Sequence, residues 1–150
     1  MKLFLNLLEH IGRKVIIMDR QNNEPYLERY YLFLKDRKRF PFNIFLHKFI
    51  KSDPDEVHDH PWPYATLIVK GGYWEYTPIF NNHNQKIGER VQWYGAGSFR
   101  TASATSYHRI VLDPNIECWT VFMPGPQTRE WGFLVNNRWV PHEQFLRRPR

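Results

Sequence analysis

The sequence predicts an all-β fold, a sandwich or barrel of roughly ten short strands. Aromatic residues make up 17 % of the chain and eleven prolines are scattered along it, which favours strands and turns over a helical bundle. Runs of apolar and β-branched residues alternate with Gly, Pro, Asn and Asp at short, regular intervals.

The opening stretch MKLFLNLLEHIGRK places Leu3, Leu5, Leu7, Leu8 and Ile11 on one face of a short helix. "RKVIIMDR" and "YLERYYLFL" read as strands joined by the turn signal Gln21-Asn22-Asn23-Glu24-Pro25, and "FNIFLHKFI" follows as a third. The stretch from Glu56 to Gly72, EVHDHPWPYATLIVKGG, predicts a strand that continues past the paired glycines into "YWEYTPI". After a polar loop come "ERVQWY", the turn Gly95-Ala96-Gly97, then "SFRTA", "YHRIVL" and "ECWTVFM". Asp113-Pro114-Asn115 predicts a hairpin between the last two of these. "WGFLVNN" and "RWV" form a final hairpin, and residues 141–146 start a terminal helical turn.

The 150 residues suit one domain, 1–150, with a single substantial core, and no repeat or linker divides them. One cysteine, Cys118, excludes an internal disulfide and fits a reducing compartment. No segment is long enough to span a bilayer, and Glu9 and His10 interrupt the opening apolar stretch too early for a signal sequence. The expectation is a cytoplasmic protein with no membrane partner. Formal charge is +6, with basic clusters at residues 35–39 and 147–150 that read as solvated loops and tails. No zinc-finger spacing, RNA-binding aromatic signature or recognition helix is present, so a nucleic-acid partner is not expected. No Gly-x-Ser-x-Gly elbow or phosphate-cradling glycine loop appears either.

Side chains alternate along a strand, so His58 and His60 share a face that continues through Trp62, Tyr64, Thr66 and Ile68, while Asp59 faces away. Two imidazoles on one rigid element make half of a transition-metal site. His108, in the strand after the glycine turn, is the candidate third ligand. The plainer alternative is that His58 and His60 are loop-end residues hydrogen-bonded to the barrel rim.

These residues carry a resemblance to the cupin superfamily, small jelly-roll barrels with two short metal-binding motifs. In that family a His-x-His pair is followed by three or four residues, a glutamate, six residues and a glycine. Here His58-Asp59-His60 meets Tyr64 then Gly71, or Ala65 then Gly72, at those distances. The second motif runs from a glycine to a histidine eleven positions on, as Gly97 and His108 do. The motif core spans about residues 52–112. The sequence departs from the pattern where the glutamate is replaced by Tyr64 or Ala65, and where Ser52, Ser103 and Thr105 replace expected glycine and proline positions. The resemblance is therefore to a three-histidine site like that of the thiol dioxygenase branch. It implies a single-domain cupin-like jelly-roll β-barrel with a short N-terminal helix, holding a divalent metal, Fe(II) first and Zn or Ni as substitutes.

Around this site, His47 reads as a further ligand, an acid/base group, an orienting partner for a ligand histidine, or a core histidine bonded to a backbone carbonyl. Tyr64 either hydrogen-bonds a metal-bound water or fills space. Arg100, Arg109, Lys70 and Arg129 are the cations that a barrel mouth could aim at a bound carboxylate or phosphate. Trp62, Trp74, Trp93, Trp119 and Trp131 read as core and rim packing, and Cys118 as a small buried residue. His10, His83 and His142 receive no role. The leading function is an iron dioxygenase, an oxidoreductase acting on a small polar or anionic molecule. The alternatives are a metal-free sugar-nucleotide epimerase-like enzyme, using His60 or His47 with Tyr64 or Tyr76, and a barrel that sequesters a nucleotide or organic anion without reaction. A homodimer through edge strands is the expected assembly.

Overall fold

The structure is a computed structural model that describes residues 2–19, 22–36, 40–53 and 56–147. Elements follow in the order α1 (Lys2–His10), β1 (Lys14–Met18), β2 (Pro25–Tyr31), β3 (Phe45–Phe49), β4 (Tyr64–Lys70), β5 (Gly72–Phe80) and β6 (Lys86–Gly95). Then come β7 (Phe99–Ala102), β8 (Arg109–Val111), β9 (Cys118–Pro124), β10 (Gly132–Val135), β11 (Arg138–Pro141) and α2 (His142–Leu146). The sheet orders are β1-β2-β3-β9-β4-β7, β6-β5-β8 and β10-β11, with antiparallel pairing.

Alternation decides what each strand buries. Along β4, Tyr64, Thr66 and Ile68 are buried and the intervening residues less so. On β3 the inward set is Phe45, His47 and Phe49, and on β9 it includes Cys118, Thr120 and Phe122. Ile68, Tyr73, Ile110 and Cys118 form one apolar cluster that draws on both large sheets, and Phe49 and Tyr94 pack against it. Burial pushes the Cys118 thiol up to about 12, so it behaves as the small apolar residue expected.

Three local expectations are corrected. The predicted strand through Gly71-Gly72 is two strands in different sheets. Gly71 adopts φ 66°, and a Cβ there would sit 2.1 Å from the Glu117 carbonyl oxygen, so only glycine makes this turn. Asp113-Pro114-Asn115 does turn the chain, closed by Ile116 N–H to Asp113 O at 3.1 Å, but it joins β8 to β9 across sheets rather than forming a hairpin. The helix is present, yet only Leu8 is buried, against Tyr30 and Trp119, while Leu3, Leu7 and Ile11 stay exposed. The final hairpin is as expected; Asn136 and Asn137 take φ 48° and 61°, which suits a tight two-residue turn. Residues 37–39 and 148–150, most of the two basic clusters, lie outside the described residues.

Asn43 shows how a loop is held without a strand. Its Oδ1 accepts from Leu34 N and Ile44 N at 3.0 and 2.8 Å, and its Nδ2 donates to Leu34 O at 2.9 Å. The side chain is 1 % exposed, so water cannot replace these bonds. Replacing Asn43 with Ala is expected to destabilise the fold by about 3 kcal/mol, read as a lower urea midpoint with an unchanged slope.

Candidate metal centre

The segment carrying the two histidines is extended but belongs to no long strand, because Pro61 and Pro63 offer no N–H to a ladder. Its backbone is instead bonded on both edges. His58 and His108 exchange N–H to O bonds of 2.9 Å, and His60 N donates to Ala104 O at 3.2 Å. On the other edge, Val57 O accepts from Leu134, Asp59 N donates to Gly132 O while its side-chain Oδ1 accepts from Gly132 N, Pro61 O accepts from Thr128, and Pro63 O accepts from Gly125. The alternation read from the sequence holds. His58 and His60 line the cavity between the sheets, and Asp59 points to the C-terminal hairpin.

His58, His60 and His108 converge. Each offers a ring nitrogen within 4.8 Å of the other two. Their ring centroids form a nearly equilateral triangle, with sides of 5.0, 5.1 and 5.3 Å. An ion bound about 2.1 Å from each nitrogen would place centroids about 4.6 Å apart at right-angle coordination and about 5.3 Å apart at tetrahedral angles. The observed triangle falls between those limits, so the three side chains fit a divalent ion with small ring rotations.

The second nitrogen of His108 is committed. Nδ1 lies 2.8 Å from Glu75 Oε1, and the other carboxylate oxygen, Oε2, is 2.5 Å from Arg100 Nη2. A carboxylate paired with a guanidinium only accepts, so the His108 proton sits on Nδ1 and the Nε2 lone pair faces the site. That Nε2 is 2.8 Å from His60 Nε2. With no ion between them His60 must supply the donor, and a metal held at both nitrogens would require the other His60 tautomer, with its proton on Nδ1. Tyr64 completes this corner, its hydroxyl 3.4 Å from His108 Nδ1 and its ring 4.8 Å from that of His60. Burial raises its phenol well above the ordinary value, so it remains a neutral donor.

The cavity has a volume of about 340 Å³. Arg100 borders it, but Glu75 neutralises the guanidinium, which also donates to the Tyr73 hydroxyl at 3.5 Å and lies over the Tyr94 ring. Arg100 is thus a buried counter-charge to the site carboxylate rather than a clamp aimed at substrate. Arg109 and Lys70 are placed elsewhere. Arg109 reaches Glu89 at 3.8 Å over the Tyr76 ring, and Lys70 pairs with Glu117; neither lines the cavity. Arg129 is bonded to Asp59. Trp62 and Trp131 wall the cavity, whereas Trp119 is core and Trp74 packs on Trp93 at the surface.

His47 lines the same cavity away from the three-histidine cluster. It is stacked between Phe45 and Phe122, and its Nε2 accepts from Arg29 Nε at 3.0 Å rather than bonding a backbone carbonyl. Sequence reasoning missed Glu75, Arg29 and the function of Asp59. A lone acidic residue within "YWEYTPI" was a signal for Glu75, since an inward carboxylate on a strand demands a partner. No sequence signal named that partner.

Burial, together with the Arg29 charge, holds the His47 pKa well below the ordinary imidazole value. The unfolded chain takes up a proton at about pH 6.5 and the folded chain does not. Stability due to neutral His47 is therefore present above that pH and lost as pH falls below it. His47→Gln is expected to flatten the decline in unfolding free energy between pH 6.5 and 5 by up to about 1.4 kcal/mol per pH unit. Parallel declines in the two proteins would show that the folded chain also protonates this ring.

No protein-family model matches the sequence, and comparison with curated proteins finds no relative. Solved structures do match. The polyketide cyclase RemF from Streptomyces resistomycificus gives a TM-score of 0.58 at 14 % identity, over 88 % of this chain and 84 % of that one. Rru_A2000 from Rhodospirillum rubrum, a cupin-2 domain, gives 0.57 at 10 % identity, over 89 % and 80 %. Fe(II)-HppE, crystallised with the alternative substrate (S)-1-HPP, gives 0.54 at 8 % identity over 74 % of this chain, which spans 55 % of the HppE chain. Such identities establish shared architecture alone. The chain folds as a cupin, with three histidines gathered where its two sequence motifs place them.

Proposed function

We propose that the protein is a mononuclear metal-dependent cupin oxidoreductase, of dioxygenase type, acting on a small polar or anionic molecule. The observation that carries this reading is the near-equilateral triangle of His58, His60 and His108, with His108 oriented from behind by Glu75. Three neutral imidazoles leave a divalent ion its full charge and open positions, which suits Fe(II) and also accepts Zn or Ni. Bound there, iron would supply the joint binding of dioxygen and substrate. That Fe(II)-HppE shares the architecture supports iron as the first choice.

The chain's own groups have defined parts in this proposal. Glu75 fixes the His108 tautomer and strengthens its lone pair through the Nδ1 bond, while Arg100 pairs with the other oxygen of Glu75. The Tyr64 hydroxyl, held protonated by burial, is a donor beside the ligand histidines. Trp62, Phe122 and Trp131 give the cavity an aromatic wall against which a substrate can pack. Arg29, seated over the Phe45 ring at 4.5 Å and bonded to His47, brings a cation to the cavity wall for an anionic substituent.

One observation favours a second reading. Glu75, His108 and His60 are linked by two 2.8 Å contacts, and with Tyr64 they form a metal-free acid–base relay of the kind an epimerase needs. Metal analysis separates the two. The first reading expects about one Fe(II) per chain after anaerobic loading, and at least tenfold weaker uptake, on the order of 1.4 kcal/mol, in His60→Ala. Metal uptake should weaken as pH falls, because an imidazole must be neutral to bind the ion. A folded chain that accepts no Fe(II), Zn(II) or Ni(II) would leave the acid–base relay as the better account.

A further inference from the structure

We propose that Asp59, the residue between the two ligand histidines, is the positioning residue of the metal site, through which the C-terminal hairpin sets the ligand geometry. This rests on the metal reading above and extends it to residues outside the cavity. Asp59 is fully buried, at 0 % exposure, yet does not border the cavity. Its Oδ1 accepts from Gly132 N at 2.7 Å, and its Oδ2 accepts from Arg129 Nη1 at 2.7 Å and Trp139 Nε1 at 3.0 Å. A buried carboxylate with three donors, one of them a guanidinium, is held in one orientation, because any rotation leaves charge unpaired.

That orientation is transmitted by covalent geometry. His58 and His60 flank Asp59 on an extended backbone, so fixing the outward side chain fixes the two inward ones by alternation. The flanking bonds act alike. Leu134 N to Val57 O at 2.9 Å and Thr128 N to Pro61 O at 2.8 Å run residues 125–134 along the whole outer edge of the ligand segment. On the inner edge the His58–His108 exchange and the His60 to Ala104 bond restrain it. The prolines prevent any longer ladder. Without the Asp59 carboxylate the backbone bonds would still pair His58 with His108, but the segment would lose the side-chain tie to the hairpin that holds the angle of its two inward rings. The hairpin offers no slack to compensate. A Cβ on Gly132 would lie 2.2 Å from Val140 O and 2.9 Å from the Trp139 ring, so this strand is packed to its limit beside the carboxylate.

The test uses the full chain loaded with Co(II), whose visible spectrum reports ligand number and angle, and with Zn(II) in competition against a chromophoric chelator. Asp59→Ala and Arg129→Gln are compared with Asp59→Asn, whose single amide oxygen keeps the acceptor for Gly132 N while its NH2 replaces the oxygen that faces Arg129 and Trp139. Thermal melting of the metal-free proteins checks folding. In folded Asp59→Ala, Zn(II) affinity is expected to fall by about 10- to 100-fold with an altered Co(II) band envelope, and Asp59→Asn should restore part of both. If Asp59→Ala does not fold, Arg129→Gln carries the same expectation with a smaller shift. Folded variants that bind Zn(II) within twofold of the parent and give its Co(II) spectrum would overturn the inference while leaving the metal reading intact. A parent protein that takes up neither ion would instead remove the metal reading, and this inference with it.

Discussion

The site depends on a short, proline-interrupted segment whose backbone is hydrogen-bonded on both edges. Residues 57–63 cannot form an ordinary strand, yet a buried backbone must have its polar groups satisfied. The solution places residues 104–108 on one side and residues 125–134 on the other. His58 and His60 bond inward, to His108 and Ala104, whereas Val57 and Asp59 bond outward to the C-terminal hairpin and Pro61 and Pro63 to Thr128 and Gly125 before it. The chemistry-bearing side chains are thereby presented to the cavity by an element that neighbours hold rather than by its own regularity.

Charge follows the same arrangement. Two carboxylates are buried near the histidines, Glu75 on the cavity side and Asp59 on the hairpin side, and each has an arginine. Pairing is required because an isolated carboxylate at these depths would be protonated or would unfold its surroundings. The two pairs differ in use. Glu75 and Arg100 touch the ring of a candidate ligand through His108 Nδ1, whereas Asp59 and Arg129 act through the backbone. The cavity wall mixes aromatic side chains, Phe49, Phe122 and Phe133 among them, with polar and charged ones such as Asp19, Arg29 and Asp53.

His47 shows how a polar group survives in the aromatic part of that wall. Stacked between Phe45 and Phe122, it stays neutral and spends its Nε2 lone pair on Arg29. The arginine in turn lies over the Phe45 ring, so a full positive charge sits at the edge of the apolar region with its stem packed and its head bonded. The cavity lining therefore combines imidazole nitrogens with guanidinium groups, Arg29 beside His47 and Arg100 behind His108 through Glu75.

The sequence by itself determined the strand-rich class, the parity that sends His58 and His60 one way and Asp59 the other, and the spacing that nominates His108. These are local properties, because strand alternation and turn chemistry act over a few residues. Tertiary structure decided the rest. Glu75 reaches His108 across 33 residues because the Gly71 turn carries β5 into the opposite sheet, and no periodicity records which sheet a strand joins. Arg100, Arg109 and Lys70 looked alike in sequence, each a cation on a strand. Only pairing distinguished them, by giving Arg100 a buried carboxylate partner at the cavity and the other two surface glutamates. Long-range strand pairing brings such groups together, and a linear sequence carries their chemistry without their partners.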